Sequence, residues 1–316
     1  MIAGSSRLMT IRDPKAVVRL DISRYVPKLL RLATNGWCLM TASTRLRGAA
    51  MVLACPPLYA RPGSYLSPLT GEDDIRRALS WRDTPPGITL REDSQEEFAA
   101  AARPVLESPE PGPRYRLEGN TMFGPPDAAV YRAVIGRYRP RRIIEAGSGF
   151  STAVALDEAA ALGLDTDVTC IEPHPERLES LLCPGDPVTL IRRPVQDVPV
   201  AAFTGLAAGD ILFIDSSHVA KAGSDVTWLI LRVLPLLAPG VLVHVHDVFW
   251  PHGYPAAWLR ERRDWNESYF LLAFLSGNPL WEILLWNSWL WRARPDMIPG
   301  RLASGEPGSI WLRKTA

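Results

Sequence analysis

The stretch that most constrains the fold lies near the middle of the chain, where residues 141–151 read RRIIEAGSGFS. Ile143 and Ile144 form a short apolar run, as expected of a strand buried on both faces. Gly147 and Gly149 follow, and the next segment is rich in alanine, as in a helix. Because glycine permits sharp turns and a helix start offers free N–H groups, we expect a nucleotide-like cofactor at this junction.

The residues around the glycines indicate which cofactor this is. The dinucleotide fingerprint needs a third glycine at position 152, where this chain has threonine. Glu145 precedes the turn, and an acid there is typical of S-adenosylmethionine (SAM) sites, where it holds the methionine ammonium directly or through water. The alternative is a strand–turn–helix without a ligand. The expected cofactor-binding residues of this turn are Glu145, Gly147, Ser148, Gly149 and Ser151.

Composition narrows the function classes open to this chain of 316 residues. Its formal net charge is +1, so bulk attraction to nucleic acid is not indicated, and we expect no nucleic-acid partner. The four cysteines form no CxxC pair, which favours a reduced, cytoplasmic setting. No apolar stretch reaches the roughly 18 uncharged residues of a transmembrane helix, so none is expected.

Two parts are predicted, because residues 107–116 have the composition of a linker: an N-terminal extension of mixed or irregular structure over residues 1–110, and a catalytic domain over residues 111–316. Residues 1–47 carry nine Lys or Arg and two Asp, with apolar residues spaced as on one helix face. We interpret them as a mobile or partner-covered extension. The alternatives are a helix in peripheral contact with an anionic membrane and a targeting peptide.

From residue 116 onwards, predicted strands alternate with predicted helices, which indicates an α/β fold with a doubly wound, mostly parallel sheet. Acidic residues fall at the ends of several strands, where ligands bind in such sheets. The last two strands are expected to form an antiparallel pair. The predicted strands after the glycine turn cover residues 168–172, 188–191, 211–215, 241–247, 281–291 and 309–313. The predicted helices cover residues 73–79, 94–102, 128–138, 225–237 and 266–275.

Three polar residues after the second and third strands are candidate cofactor ligands. Glu172 ends the second strand, and its two carboxylate oxygens can accept both ribose hydroxyls. The alternative for Glu172 is a surface position beside a Pro-His-Pro turn. Asp197 is a candidate for the adenine amino group, and Gln196 competes for the same role.

A second group of polar residues follows the fourth and fifth strands, at positions 215, 218, 225, 246 and 247. Asp215 is also expected among the cofactor-binding residues. Asp215, His246 and Asp247 suit a divalent ion such as Mg²⁺ or Mn²⁺, and the alternative is an Asp–His hydrogen-bond network without metal. His218 can accept a proton near neutral pH. His244 is interpreted as structural and is expected to face away from His246. Trp250, Trp258 and Trp265 are candidates for an aromatic wall beside a substrate.

The motifs EAGSGFSTAVA, CIEPHPERL, DILFIDSSHVAKAGSDV and PGVLVHVHDVFWPHGYPAAWL, with NTMFGPPDA upstream and NESYFLLAFLSGNP downstream, resemble the class I SAM-dependent methyltransferases often labelled methyltransferase family 24. The resemblance covers roughly residues 115–314. It implies a Rossmann-like, seven-stranded methyltransferase sheet and SAM as methyl donor.

The resemblance also bears on the catalytic residues. Related catechol-type and sugar O-methyltransferases carry a metal on an acid that Asp215 matches and on an acidic pair that His246 and Asp247 match in part, since histidine replaces one acid. The catechol-type enzymes have a lysine base where this chain has His218. The resemblance therefore implies catalytic roles for Asp215, His218 and His246.

The sequence thus predicts a SAM-dependent O-methyltransferase that acts on a hydroxyl of a sugar or secondary metabolite, with a divalent metal as an open question. A non-catalytic SAM-binding scaffold in a biosynthetic assembly and a nicotinamide-dependent oxidoreductase are the alternatives. Its expected partner is a small-molecule acceptor. A homodimer is one open oligomeric state.

Overall fold

A computed structural model describes residues 60, 63–110, 112–116, 120–251 and 253–316. The expectations for the basic segment 1–47, including the membrane helix and the targeting peptide, lie outside the described residues. None of the helices that the structure describes has the length and hydrophobicity of a bilayer-spanning helix.

The described residues form a seven-stranded sheet with the order β3-β2-β1-β4-β5-β7-β6. Strands β1 to β5 are parallel, and β7 pairs antiparallel with both β5 and β6. The predicted Rossmann-like, mostly parallel α/β sheet and its antiparallel last pair are therefore confirmed. The strands are β1 (Arg142–Ala146), β2 (Asp167–Ile171), β3 (Val188–Ile191), β4 (Ile211–Ile214), β5 (Leu242–His246), β6 (Trp281–Trp286) and β7 (Ser309–Lys314).

Helices connect these strands and precede the first of them. The α-helices of the described residues are α1 (Glu72–Ser80), α2 (Glu92–Glu107), α3 (Pro125–Tyr138), α4 (Phe150–Ala161), α5 (Glu176–Glu179), α6 (Ala201–Thr204), α7 (Asp225–Trp228), α8 (Ala256–Arg260), α9 (Glu267–Leu275) and α10 (Asn287–Ala293). Helix α7 continues as a π-helical turn, Leu229–Val233, and a 3₁₀ turn, Leu234–Leu236. Pro235 lacks the N–H that a regular α-helix needs, which explains why the helix tightens and ends there.

The strand predicted over residues 281–291 was wrong in its second half. Strand β6 ends at Trp286, and helix α10 begins at Asn287. The sequence WEILLWNSWLW is apolar throughout, and an apolar run alone does not distinguish a buried strand from a buried helix. Asn287 marks the change, because its buried side-chain amide donates to Asp127 at 2.8 Å.

One face of the sheet carries a row of in-register side chains that includes Glu145, Phe213, His244 and Trp311. Tyr131 of α3 packs on this row, with its ring centroid 4.9 Å from that of Phe213 and 5.4 Å from that of Trp311. All five side chains are buried, so this face is closed to solvent by α3. No ligand can therefore reach the sheet through this row of side chains.

The described residues before position 110 pack against the same core as the sheet. Phe98, Ala102 and Leu106 of α2 are buried within it, and Pro62–Ala316 form one compact unit. Helix α1 contributes Ile75 to a second apolar cluster with Phe249, Tyr254 and Leu259. The predicted boundary at residue 110 stays a prediction about which part of the chain folds alone.

Candidate functional site

A cavity of about 410 Å³ lies at the carboxyl ends of strands β1, β2, β3 and β4. This is where ligands bind in open α/β sheets. The cavity is lined by the glycine turn, the loops after β2 and β3, and the loop after β4: Ala146, Gly147, Ile171, Glu172, Pro173, Pro194, Val195, Gln196, Asp215, Ser216, Ser217, Lys221, Gly223, Ser224 and Asp225. The cavity therefore includes Gly147, Glu172, Gln196 and Asp215 of the predicted cofactor site.

The turn after β1 requires glycine at position 147. Gly147 has φ +86°, and its N–H donates to the carbonyl of Ile171 at 3.1 Å. A Cβ atom on Gly147 would lie 1.8 Å from the carbonyl oxygen of Asp215, much closer than any real contact. The Asp215 N–H donates to Ala146 at 2.9 Å, so the ends of β1 and β4 are held together here. Glycine at this position thus allows two backbone segments to pack closely at the cavity wall.

Glu172 presents its carboxylate at the cavity wall. It accepts hydrogen bonds from the backbone N–H groups of Ser148, at 3.3 Å, and His174, at 2.8 Å. The hydroxyl oxygen of Ser148, which follows the cavity-lining Gly147, is buried and has no partner among the described residues. A carboxylate acceptor at the cavity and an unpaired hydroxyl beside it suit a polar ligand such as the ribose and methionine parts of SAM. These residues fit that cofactor.

The structure separates the two candidates for the adenine end. Gln196 lines the cavity, whereas Asp197 is exposed and is not among the lining residues. Both lie in a short 3₁₀ turn, Val195–Asp197, after β3. The cavity position therefore favours Gln196.

Glu145 lies beneath the glycine turn and does not line the cavity. Its carboxylate is fully buried and accepts hydrogen bonds from Thr152, from Tyr131 at 3.4 Å and from Ser151 at 3.5 Å. Burial raises the pKa of Glu145 to about 8, although the hydrogen bonds from Thr152 and Tyr131 oppose this shift. The N–H of Gly149 donates to Thr152 as well, at 3.1 Å. Glu145, Ser151 and Gly149 thus support the turn from below, and their contact with a cofactor stays a prediction.

The raised pKa of Glu145 predicts a specific pH dependence of stability. The folded protein keeps this proton up to about pH 8, whereas the unfolded chain releases it near its ordinary pKa of 4.5. Stability should therefore fall as pH rises between these two values, because the folded state binds the extra proton. Glu145→Gln removes the titrating group, so its melting temperature should match that of the parent at pH 5 and exceed it by several degrees at pH 9. If the melting temperatures of the parent and the variant differ by the same amount at pH 5 and pH 9, the raised pKa of Glu145 is contradicted.

His218 is the centre of a second polar cluster, at the ends of β4 and β5. Its Nδ1 lies 2.9 Å from Oε2 of Glu267. Its Nε2 lies 3.4 Å from Oδ1 of Asp215 and 3.5 Å from Oδ2 of Asp247. His218 and Asp247 both have positive φ angles, +59° and +57°, which non-glycine residues adopt only where the surroundings hold them. Asp215 also lines the cavity, so this cluster adjoins the predicted cofactor site.

The charges of this cluster shift its pKa values in opposite directions. Burial disfavours the charged ring of His218, yet its bonds to Asp215 and Glu267 raise its pKa well above the ordinary value. Burial likewise opposes ionisation of Asp215, but the charge of His246 and the contact with His218 hold its pKa at about 2. Burial raises the pKa of Asp247 to about 6 and also raises that of Glu267. Perturbed groups of this kind concentrate at functional sites.

His246 and His244 lie on the same face of β5. Their ring centroids are 5.6 Å apart, and both rings pack near Phe123. The expectation that His244 faces away from His246 was wrong, because side chains two positions apart on a strand point to the same side. His244 stacks on Phe213 at 3.8 Å, and burial lowers its pKa well below the ordinary value, as suits a neutral core residue. Nε2 of His246 lies 3.7 Å from Oδ1 of Asp247.

The predicted metal ligands do not fit a metal ion in the arrangement seen here. Asp215, His246 and Asp247 have suitable donor atoms. However, the carboxylates of Asp215 and Asp247 both approach Nε2 of His218, which stands where a cation between them would be. In the part of the chain that the structure describes, no group of three or more His, Cys, Asp or Glu side chains is placed to hold a metal ion. The metal site stays a prediction, and no step below depends on it.

Asp225, which the sequence placed in the second polar group, accepts hydrogen bonds from the N–H of Ser217, at 2.8 Å, and from its hydroxyl, at 2.6 Å, and thereby shapes the loop after Asp215. Two other residues of the site were missed at the level of sequence. Glu267 is separated from His218 by 49 positions and looks like an ordinary acid at a helix start. Lys221 also lines the cavity, and no other lysine or arginine is found among the described lining residues. The motif that contains Glu267 was part of the family resemblance, and this was the one sequence signal that could have pointed to Glu267 as a site residue.

Aromatic side chains lie beside His218. The ring centroid of Trp265 is 4.4 Å from that of His218, and Trp258 packs edge-on against Trp265 at 5.2 Å. Arg263 lies 4.1 Å over the ring of Trp258. Trp250 makes a different contact: its indole N–H donates a hydrogen bond to the hydroxyl of Thr84 at 2.9 Å. The predicted aromatic wall thus has Trp258 and Trp265 as neighbours, close to the candidate base.

Comparisons with known proteins agree with the fold and the cavity. The family described as "Methyltransferase domain" matches residues 144–248, which span β1 to the residues just after β5. An uncharacterized protein of Archaeoglobus fulgidus is 31% identical over 161 residues, which are 46% of this chain and 72% of that protein.

Solved structures overlap the chain more loosely. The apo structure of CmcI-N160 is 22% identical, with 83% of this chain and 89% of that chain covered and a TM-score of 0.41. The SAH-bound methyltransferase PaMTH1 of Podospora anserina is 17% identical, with 80% and 100% covered and a TM-score of 0.41. With the matched domain and the archaeal relative, the sheet order and the cavity lead to one conclusion: the chain belongs to the class I SAM-dependent methyltransferases, in methyltransferase family 24.

Proposed function

We propose that the protein transfers the methyl group of SAM to a hydroxyl group of a small molecule, a sugar or a secondary metabolite. The observation that carries this proposal is the position of Asp215, which lines the cofactor cavity and lies 3.4 Å from Nε2 of His218. A proton acceptor thus adjoins the cavity. O-methylation needs such a neighbour, because the attacking hydroxyl must lose its proton.

In this proposal each predicted cofactor-binding residue has a role. The Glu172 carboxylate accepts the ribose hydroxyls, and Gln196 meets the adenine amino group in preference to Asp197. The Gly147–Ser148–Gly149 turn and the buried Ser148 hydroxyl receive the methionine part, with Glu145 and Ser151 behind them. SAM supplies a methyl group made reactive by its sulfonium, and the protein aligns the acceptor with it.

His218 is the base in this proposal, and Asp215 lies between it and the cofactor. The Nδ1 atom of His218 is engaged by Glu267, so Nε2 is the nitrogen that faces the two carboxylates. It takes the hydroxyl proton when the ring is neutral, and because the pKa of His218 is raised, this neutral form becomes more abundant as pH rises. The carboxylates of Asp215 and Asp247 stabilise the positive ring that results. His246 is the second candidate, with Nδ1 buried and without a partner in the described part of the chain. Trp258 and Trp265 lie beside this base, so an acceptor that reaches it passes an aromatic cluster in which Arg263 already covers the Trp258 ring.

The test is methyl transfer from isotopically labelled SAM to a panel of hydroxyl-bearing sugars and planar metabolites. We expect the label to appear as an O-methyl group, identified by mass spectrometry and NMR of the product, with one equivalent of SAH formed. Amine- and thiol-bearing analogues of the best acceptor serve as matched controls. Transfer to nitrogen or sulfur alone would refute O-methylation, and SAM binding without transfer to any acceptor would favour a non-catalytic SAM-binding scaffold.

A further inference from the structure

We propose that Glu267 is the positioning residue that orients the His218 ring for proton transfer. The inference rests on the proposed role of His218 as the base. Glu267 is 2% exposed, and its Oε2 lies 2.9 Å from Nδ1 of His218. An acid at such depth is stable only with a strong hydrogen-bond partner, and the imidazole is the partner that the structure provides.

The start of helix α9 also holds the backbone of the His218 loop. The N–H groups of Asn266 and Glu267 both donate to the carbonyl of His218, each at 3.1 Å. The side chain of Asn266 bonds Ala220 twice, accepting from its N–H at 2.6 Å and donating to its carbonyl at 3.2 Å. Four hydrogen bonds therefore fix the loop independently of the ring, so a change at the Glu267 carboxylate can alter the ring alone.

The geometry of the ring follows from these contacts. The positive φ of His218 aims the side chain towards α9, and Trp265 packs against the ring at 4.4 Å between centroids. With Nδ1–H donating to Glu267, a neutral ring keeps its lone pair on Nε2, the nitrogen near Asp215 and Asp247. If the carboxylate is removed, the ring can take its other tautomer or rotate, and Nε2 is then no longer a dependable proton acceptor.

The experiment uses the full-length chain with ¹⁵N-labelled histidine and two variants. Glu267→Leu keeps a similar volume but removes the acceptor, and Glu267→Gln keeps an oxygen in the same place. Glu107→Gln is the matched control, because Glu107 is an exposed acid that bonds Arg103 on helix α2 and neither contacts His218 nor lines the cavity. The readouts are kcat, KM for the acceptor, SAM affinity by calorimetry, and the low-field Nδ1–H resonance of His218, assigned with His218→Asn. This proton is present whether the ring is neutral or charged.

We expect Glu267→Leu to lower kcat on the order of 10²-fold, at the lower end of what a positioned acid–base group contributes, and to lose the Nδ1–H resonance. SAM affinity should stay within about threefold, and Glu107→Gln should match the parent. Glu267→Gln should lower kcat less than the leucine variant does. If Glu267→Gln keeps the Nδ1–H resonance it should also keep kcat, and if it loses the resonance it should also lose kcat.

The proposal is overturned if Glu267→Leu keeps both kcat and the resonance, or if kcat and the resonance change independently in either variant. Should the leucine variant fail to fold, the glutamine variant decides by the same criterion. Failure of the proposed O-methylation is distinguishable, because the resonance reports the Glu267–His218 contact even when no acceptor is methylated.

Discussion

Gly147→Val is expected to reduce SAM affinity by at least about 10²-fold, corresponding to roughly 2.7 kcal/mol of binding free energy. A Cβ atom at this position would lie 1.8 Å from the carbonyl oxygen of Asp215, so the ends of β1 and β4 would have to move apart. Both residues line the cavity, and the movement would displace its wall. The expected loss of affinity therefore comes from a collision within the protein, between the new side chain and the backbone of Asp215.

Gly185→Val provides a matched control for this prediction. Gly185 has φ +91°, close to the +86° of Gly147, but a Cβ atom on Gly185 would meet nothing within 4 Å. The two variants therefore share the backbone strain of a side chain at positive φ, of order 1–3 kcal/mol, and differ in the collision. Calorimetry should show nearly parental SAM affinity for Gly185→Val. If Gly147→Val binds SAM as tightly as the parent, the cofactor does not occupy this cavity.

The parallel half of the fold could be predicted from sequence because local and global signals agree there. Strand β3 is found at its predicted residues, β4 differs from its prediction by one residue at its end, and β2 and β5 differ by one residue at each end. Short apolar runs that end in Glu172, Asp215 and Asp247 identify both the strand and the edge where ligands bind. The last strands were harder, because the run from Trp281 to Trp291 is apolar on every side. Only tertiary contacts, such as Asn287 with Asp127, decide where the helix begins.

The cofactor half of the site was more predictable than the catalytic half for a related reason. Gly147 and Glu172 follow their strands directly, and Gln196 lies five positions after β3, so the sheet determines the places of all three. Glu267 reaches His218 from a separate helix, and no spacing rule connects two residues that meet only through folding. The burial of Glu145 was also hidden, because the strand pattern does not say which face α3 covers. Its contact with Tyr131 shows that this face is closed.

His218→Asn is expected to lower kcat by about 10²- to 10⁴-fold, the usual contribution of a positioned acid–base group. Asparagine suits this test better than alanine, because it tolerates the positive φ of +59° and keeps a polar side chain in a buried place. An amide cannot accept the hydroxyl proton as imidazole does. SAM affinity should remain near the parental value, since His218 is not among the residues that line the cavity. Single-turnover kinetics with labelled SAM measures the chemical step directly.

His246 and a metal ion are the two alternatives that the same experiment must separate. If the metal-free mechanism is right, dialysis against a chelator leaves the parental rate unchanged, because the protein's own base accepts the proton. A metal would instead lower the pKa of a bound hydroxyl, so that chelation would abolish turnover and Asp215 and Asp247 would be indispensable. The double variant His218→Asn, His246→Asn should lose at least as much activity as the single variant. Parental activity in the folded double variant, with and without chelator, would exclude both histidines as the base, because neither ring would then be needed to remove the proton.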